Sequence, residues 1–398
     1  MTDLLARLGI ARVLNAAGTL TRLGGAVMDP AVAAAMAEAA ELSVDMWALQ
    51  EEASRRIAAA TGAEAGLVTT GASAGLTLAA AATLAKLDPA AMDRLPEVVG
   101  PREIVVPRTH LTGYARALRT AGATLREVGI DDRGTGAGIR GLESWEVEAA
   151  IGPNTVALAA SANQATEPDL PLICEVGWRH GLPVIVDAAA QLPPRQNLRR
   201  YVEMGATLVV FSGGKAIRGP QATGILAGRR SLVASAALQM LDMDLRPQAF
   251  SAPEFFPEGP PAHVPRHGIG RGFKASKENI VGLLVALDRF CHADLAADSG
   301  AKAERLGTMA AALAGVPGLS CRIEPGWHRE RAPRLALCLD PDKAGIDGAA
   351  AAAELARLDP PAYLVEGRVA QNELLVDLAC LPARDDEALV AALRRVLS

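Results

Sequence analysis

The chain of 398 residues has few aromatic side chains, since Phe, Tyr and Trp together make up 3 % of it. Proteins that bind single-stranded nucleic acid commonly stack bases on such rings, and this composition argues against that surface. An excess of basic residues is also missing, because 40 Lys and Arg stand against 45 Asp and Glu, a formal net charge of −5. We therefore expect no nucleic-acid partner.

Cysteine is scarce, and its scattered positions do not suggest a disulfide framework or a zinc cluster. The five cysteines are Cys174, Cys291, Cys321, Cys338 and Cys380. His263 and His267 are four residues apart, but they lie in a proline-rich stretch where the helical spacing of metal ligands does not apply. The sequence predicts no metal site.

Long hydrophobic runs are absent too, because Glu, Arg or Pro interrupts every apolar stretch before the ~18 residues that a membrane-spanning helix needs. No charged and then apolar leader opens the chain, so we expect a cytoplasmic protein without a membrane partner. Half of the residues are hydrophobic, which is enough to build a sizeable core and excludes disorder as the main state.

Short apolar runs rich in β-branched residues alternate with alanine-rich segments, which are typical of helices. The predicted strands are Glu103–Pro107, Thr155–Ala159, Pro183–Asp187 and Thr207–Phe211. Such runs suit strands buried on both faces of a parallel sheet with helices between them. The pattern predicts an α/β fold with a mostly parallel sheet.

The alternation stops over residues 242–272, a proline-rich and irregular stretch of the kind that is usually functional or mobile. We expect an N-terminal segment over residues 1–20 and a large domain over 21–290 that includes this stretch. A smaller α+β domain is expected over 291–398.

Small residues form the loop Thr69–Gly75, between an apolar run and a predicted helix. Small side chains let the backbone approach an anion, and a helix N-terminus offers free N–H groups, so the loop suits one phosphate. It is neither a Walker loop nor a G-x-G-x-x-G fingerprint. An ordinary glycine turn capped by Ser73 is the alternative.

Two charged residues follow predicted strands. Asp187 ends one of them, where α/β sheets bind ligands, and a buried carboxylate there needs a partner such as a protonated pyridine nitrogen. Lys215 follows the next strand in a glycine-rich turn, where partial burial would lower its pKa and let it act as nucleophile or base. The alternatives are a helix N-cap for Asp187 and a solvated loop lysine. Ser212, just before the lysine, is placed to hold a phosphate.

The order of phosphate loop, strand-end Asp and, 28 residues later, strand-end Lys resembles that of fold-type I pyridoxal phosphate (PLP) enzymes. Ser212–Gly224, Val13–Gly25 and Gly268–Gly282 resemble segments of the selenocysteine synthase superfamily. That group includes L-seryl-tRNA(Sec) selenium transferase and D-glucosaminate-6-phosphate ammonia-lyase-like proteins. The resemblance spans residues 13–290 and implies an aspartate aminotransferase-like fold, similar to class V aminotransferases, with a smaller α+β C-terminal domain.

The resemblance implies roles for individual residues. Lys215 would form the Schiff base with PLP, and Asp187 would hold the pyridine nitrogen so that the ring remains an electron sink. The cofactor phosphate would lie on Gly71, Ala72 and Ser73, with help from Ser212. His110 would cover the ring face, with a polar residue at a helix N-terminus as the alternative.

Further contacts are less defined. Asn163 and Gln164 follow a strand and are placed to reach the cofactor's 3-hydroxyl or the substrate, unless they form a simple turn. Arg271, Arg22 and Arg218 are rival clamps for a substrate anion, each with an exposed surface arginine as its alternative. Fold-type I sites lie at subunit interfaces, so the resemblance implies a homodimer or an assembly of dimers.

With PLP on Lys215, a bond at the α-carbon of an amino acid becomes labile, and the freed lysine is the natural base. Loss of a β-hydroxyl gives a 2-oxo acid and ammonia, whereas reprotonation on the other face gives a racemase or epimerase. We favour α,β-elimination from a small hydroxylated amino acid, with D-glucosaminate 6-phosphate as one candidate substrate. Selenium transfer is not favoured, because that enzyme has an additional N-terminal tRNA-binding region. The sequence also leaves open a non-catalytic regulator that binds PLP and a structural partner without PLP.

Overall fold

A computed structural model describes residues 4–131, 140–242, 244 and 246–397 of the chain. They divide into two compact units. The larger unit runs from Met28 to Cys291, and the smaller unit joins the N-terminal segment up to Val27 to the segment that begins at His292.

Both units contain β-sheets, and their strands are short. In the described part of the chain the strands are β1 Leu14–Ala16, β2 Ala65–Thr69, β3 Glu103–Pro107, β4 Thr124–Val128, β5 Thr155–Ser161, β6 Val184–Asp187, β7 Leu208–Ser212, β8 Gly224–Gly228, β9 Leu319–Glu324, β10 Arg334–Leu339, β11 Ala362–Arg368 and β12 Glu373–Val376.

Helices connect most of these strands. Over the same described residues they are α1 Leu4–Arg7, α2 Pro30–Ala40, α3 Met46–Thr61, α4 Ala72–Ala85, α5 Pro89–Arg94, α6 Arg116–Thr120, α7 Ser144–Glu148, α8 Leu170–Arg179, α9 Asn197–Glu203, α10 Arg230–Leu238, α11 Lys277–His292, α12 Leu295–Ala312, α13 Pro341–Ala344, α14 Gly348–Ala356 and α15 Asp386–Leu397.

The sheet of the larger unit has the strand order β2-β8-β7-β6-β5-β3-β4. Strands β4, β3, β5, β6 and β7 pair in parallel, and β8 pairs antiparallel with both β7 and β2. The mostly parallel α/β architecture predicted from the alternating pattern is therefore confirmed. The carboxyl ends of the parallel strands lie at one edge of the sheet, where ligands of α/β proteins bind.

Helix α4 follows β2 directly and lies in the core of the larger unit. It is buried along nearly its whole length, and most of its buried residues are alanines. A helix that is apolar on all sides is suited to the interior, and small side chains let it pack closely against its neighbours. The N-terminus of this buried helix begins at the phosphate loop predicted from the sequence.

The smaller unit contains a five-stranded sheet with the order β1-β11-β12-β10-β9. Strand β1 is parallel to β11, and the other neighbours are antiparallel. The N-terminal segment expected over residues 1–20 contains β1, which is an edge strand of this sheet. The strand was not predicted, because a run of three residues is too short to show a strand pattern. Across the part of the chain that the structure covers, no helix is long and apolar enough to cross a membrane.

Candidate active site

Asp187 is the last residue of β6 and lies between the ends of two parallel neighbours. It is in register with Ser161 of β5 on one side and with Val210 of β7 on the other. The backbone N–H of Ala189 donates a hydrogen bond of 3.1 Å to its carboxylate. The strand pattern Val-Ile-Val-Asp therefore delivers this carboxylate to the carboxyl edge of the sheet.

The register across β7, β8 and β2 brings the other motifs to the same edge. Gly224 of β8 pairs with Ser212 at the end of β7 and with Thr69 at the end of β2. A Cβ on Gly224 would lie 2.5 Å from the carbonyl carbon of Gly71, so only glycine permits this approach. The phosphate loop and the lysine turn are thus held one strand apart.

Gly71 precedes α4 with φ +89°, a left-handed conformation that favours glycine. A Cβ at this position would meet no atom within 4 Å, which leaves the space beside the loop open. The hydroxyl of Thr69 donates to the carbonyl of Gly71, and the Thr70 hydroxyl donates to the carbonyl of Phe273. These bonds hold the loop that opens α4.

Lys215 lies in the turn between β7 and β8, which backbone hydrogen bonds close tightly. The N–H of Gly213 donates to Thr223, that of Gly219 donates to Gly213, and that of Arg218 donates to Lys215. A Cβ on Gly213 would collide with the Thr223 hydroxyl, so the glycine is required by the close approach. The lysine is therefore presented from a rigid turn.

The charges of Asp187 and Lys215 shift each other's pKa. Burial raises the pKa of Asp187, and the Ala189 hydrogen bond and the charge of Lys215 oppose this shift. Burial lowers the pKa of Lys215, and the charge of Asp187 opposes that shift. Both groups are thus pushed toward their neutral forms, which are a protonated carboxyl and a free amine.

A cavity opens beside Asp187 in the larger unit. Asp187, Ser161, His110 and Tyr114 contribute to its lining. His110 is 2 % exposed, and its Nε2 lies 3.2 Å from Oδ2 of Asp169. Its Nδ1 is buried and has no hydrogen-bond partner among the described residues. The cavity therefore offers the carboxyl group of Asp187 to a ligand, with the fully buried imidazole of His110 in its wall.

Other residues predicted for cofactor binding have different surroundings. Ser73 and Gln164 are exposed, and Ser212 is half-buried. The side-chain oxygen of Asn163 accepts hydrogen bonds from the N–H groups of Ala165 and Thr166, at 2.9 and 3.2 Å. Asn163 thus stabilises the turn that sequence analysis gave as its alternative role.

The three candidate arginines lie in separate places. Arg271 forms an ion pair with Asp242, and His267 lies 3.2 Å from the same carboxylate. Arg22 belongs to the smaller unit, where it lies over the ring of Tyr363. Arg218 is exposed and has φ +60° in the lysine turn.

Sequence reasoning missed Asp169, Ser161 and Tyr114 as site residues. Asp169 stands 59 residues after His110, and its local pattern resembles an ordinary helix start. Only the folded sheet brings it to the imidazole. In the described ranges no group of three or more His, Cys, Asp or Glu is arranged to hold a metal ion.

The chemistry of these residues fits PLP. A partly buried carboxyl group, as in Asp187, suits the ring N–H of a pyridinium. The amine of Lys215, with its lowered pKa, suits condensation with an aldehyde. The glycine start of the 14-residue helix α4 suits a phosphate, and the unpartnered Nδ1 of His110 suits a donor group inside the cavity.

Two of the curated relatives match nearly the whole chain over more than nine tenths of their own length. A Streptomyces protein named 5'-C-glycyluridine monooxygenase-decarboxylase is 31 % identical over 401 residues, which cover 98 % of this chain and 91 % of that protein. The D-glucosaminate-6-phosphate ammonia lyase of Salmonella typhimurium is 28 % identical over 399 residues, which cover 98 % of this chain and 96 % of that protein. No protein-family profile matches the chain.

A third relative covers less of the chain. The L-seryl-tRNA(Sec) selenium transferase of Solidesulfovibrio magneticus is 32 % identical over 269 residues, 59 % of this chain and 52 % of that protein. This partial match agrees with the resemblance of the lysine segment and its neighbours.

The solved structures agree with the curated relatives. A structure of D-glucosaminate-6-phosphate ammonia-lyase superposes with a TM-score of 0.82 at 27 % identity and covers 100 % of this chain and 99 % of that one. An alanine–glyoxylate aminotransferase of Nostoc has a TM-score of 0.56 at 15 % identity and shows the fold alone. The chain belongs to the selenocysteine synthase-like superfamily of fold-type I PLP enzymes, on the branch of the D-glucosaminate-6-phosphate ammonia-lyase-like proteins.

Proposed function

We propose that this protein is a PLP-dependent lyase that catalyses α,β-elimination from a small hydroxylated amino acid and yields a 2-oxo acid and ammonia. The observation that carries the proposal is the placement of Asp187 at the end of β6 and of Lys215 just after the neighbouring strand β7, with Asp187 and His110 lining one cavity. The whole-length likeness to D-glucosaminate-6-phosphate ammonia lyase supports D-glucosaminate 6-phosphate as the first substrate to test.

PLP, when bound, supplies an electron sink for the bond that breaks at the α-carbon. Asp187 holds the pyridine N–H and keeps the positive charge there. The N–H groups at the start of α4, beside Gly71 and Ala72, bind the phosphate. The resemblance assigns Ser212 and Ser73 as further hydroxyl donors to the same phosphate.

Lys215 has two tasks that its lowered pKa serves. Its neutral amine first holds the cofactor, and Nζ then takes the proton from the α-carbon. In the elimination the α C–H and β C–O bonds break, and the leaving hydroxyl departs with a proton as water. Water then replaces nitrogen at the former α-carbon, which releases ammonia and the 2-oxo acid.

The monooxygenase-decarboxylase relative gives a second candidate function, because its identity to this chain is 31 % over nearly the whole length. Such a reaction cleaves a carboxylate rather than a proton from the α-carbon and consumes molecular oxygen. The comparisons do not favour the racemase alternative, since neither whole-length relative is named as one.

The test is to incubate the PLP-loaded protein with D-glucosaminate 6-phosphate and a panel of hydroxyamino acids. We expect ammonia and a 2-oxo acid in equal amounts, without oxygen uptake. Oxygen uptake with release of carbon dioxide would instead assign the decarboxylase reaction. Exchange of the α-hydrogen without ammonia would point to a racemase.

Lys215→Ala should reduce turnover at least ~10³-fold, as loss of a central nucleophile or base does in other enzymes. Lys343→Ala is the matched control, because Lys343 is 74 % exposed and forms a surface ion pair with Asp340. Equal loss in both variants, or full activity of Lys215→Ala, would contradict the assignment.

We also propose a cytoplasmic homodimer, or an assembly of dimers, that acts on a small molecule rather than on tRNA. None of the five cysteines, all within the described residues, forms a disulfide, as is usual in a reducing compartment. Leu42 and Val44, between α2 and α3, and Met46, the first residue of α3, are large apolar residues that stay exposed, which suits a covered surface. Light scattering should give at least twice the chain mass of 41.2 kDa, and a monomer would contradict this assembly.

A further inference from the structure

The turn that follows β5 is closed by its own hydrogen bonds. The hydroxyl of Thr166 donates to the carbonyl of Ser161 at 2.5 Å, and the N–H of Asn163 donates to the Thr166 hydroxyl at 3.0 Å. Thr166 is fully buried. The turn is therefore a rigid support for the residues that come directly after it.

Those residues include two acids with different partners. The carboxylate of Glu167 accepts a hydrogen bond from the hydroxyl of Tyr201 at 2.6 Å and pairs with Arg200 at 3.2 Å. Both partners lie on α9, and Tyr201 is fully buried. Glu167 thus ties the turn to a neighbouring helix, whereas Asp169 points its carboxylate to His110.

The chemistry of that contact decides where the proton of His110 lies. An ionised carboxylate only accepts hydrogen bonds, so the neutral imidazole must carry its proton on Nε2, 3.2 Å from Asp169. Nδ1 then has a free lone pair. Leaving such a buried acceptor without a donor is unfavourable, and a fold retains it where a ligand supplies the donor.

We propose that Asp169 is a positioning residue that holds His110 in the Nε2–H tautomer, so that Nδ1 presents an acceptor to the ligand in the cavity. The ligand group that meets Nδ1 must then be a hydrogen-bond donor, such as a hydroxyl or an amine of the substrate. This inference deepens the proposed function and rests on it for the identity of the substrate.

The tautomer is measurable without turnover. In protein labelled with ¹⁵N-histidine, long-range proton–nitrogen spectra at mildly alkaline pH distinguish a protonated ring nitrogen from an unprotonated one. A His110→Gln variant identifies the signal. We expect His110 to be protonated on Nε2 in both the PLP-free and the PLP-loaded protein.

Asp169→Asn should make the tautomer mixed or reverse it, because an amide can also donate to Nε2. Glu175→Gln is the matched control in α8, the helix that begins directly after Asp169, since Glu175 is 68 % exposed and pairs with Arg179 at 3.7 Å. The control should leave the His110 signal unchanged. An Nδ1–H tautomer in the wild type, or an unchanged tautomer in Asp169→Asn, would overturn the proposal.

Kinetics add a second readout. Hydrogen-bond partners that orient metal-bound histidines typically change activity about 10- to 100-fold. By analogy, Asp169→Asn should lower kcat by about that factor with little change in KM. Asp169→Glu, which keeps an acceptor, should recover part of the rate and the Nε2–H tautomer. If no substrate is turned over, the proposed function fails while the tautomer result still decides the role of Asp169.

Discussion

At the residue scale, the central feature is that burial works against the charges of both Asp187 and Lys215. Because folding raises the pKa of Asp187 above its ordinary value of 3.8, the protonated carboxyl contributes to stability at low pH. This contribution is lost as the pH rises from 3.8 through the higher folded-state pKa. The lowered pKa of Lys215 means that charging it opposes folding, and this cost fades as pH rises toward 10.5. At neutral pH the burial of these two groups therefore lowers the unfolding free energy of the PLP-free protein, and we expect bound PLP to relieve this cost.

Asp187→Asn removes a buried charge without changing its size. We expect the PLP-free variant to melt at the same temperature as the wild type or higher, while turnover falls by about 10²-fold or more, the scale of one strong electrostatic contact. Differential scanning calorimetry and an ammonia assay measure the two effects. A lower melting temperature together with normal turnover would refute the role of Asp187.

Asp187 and Lys215 were predictable at this scale because each stands directly after a strand pattern. The partner of His110 was not, since Asp169 is distant in sequence and only the parallel pairing of β3 and β5 brings their ends together. Arg22 illustrates the same limit, because its neighbour Glu366 comes from the opposite end of the chain.

At the scale of elements, the phosphate loop depends on the contact between β8 and the start of α4. Gly224→Ala should force the loop away from the strand, because its Cβ would lie 2.7 Å from the N–H nitrogen of Ala72. We expect a loss of about 1–3 kcal/mol in unfolding free energy, as for other overpacked sites, and weaker PLP binding.

Gly152→Ala is the control for this prediction, since a Cβ there would meet no atom within 4 Å. Thermal melting and titration with PLP measure both effects. If Gly224→Ala binds PLP as tightly as the control, the loop does not hold the cofactor phosphate.

Strand β3 has the bounds that the sequence pattern predicts, and β5, β6 and β7 differ from it by one or two residues at their ends. Short, continuous apolar runs between polar breaks explain this agreement. The antiparallel strand β8 was not predicted, because a run of glycine and small apolar residues resembles a loop as much as a strand.

At the scale of the whole molecule, cofactor binding should stabilise the fold by mass action. PLP at about 100 times its Kd should add about 2.7 kcal/mol to the unfolding free energy. Thermal melting of the PLP-free protein with and without PLP measures the gain. Lys215→Ala should show a much smaller shift, and an equal shift in both proteins would mean that PLP binds without the lysine.

The most direct test that Lys215 carries the cofactor is to load the protein with PLP, reduce it with borohydride and map the modified peptide by mass spectrometry. Reduction joins the cofactor permanently to the lysine that carries it. We predict one pyridoxyl group on the peptide that contains Lys215, in stoichiometric amount. A label on another lysine, or no label, would contradict the assignment on which the proposed chemistry depends.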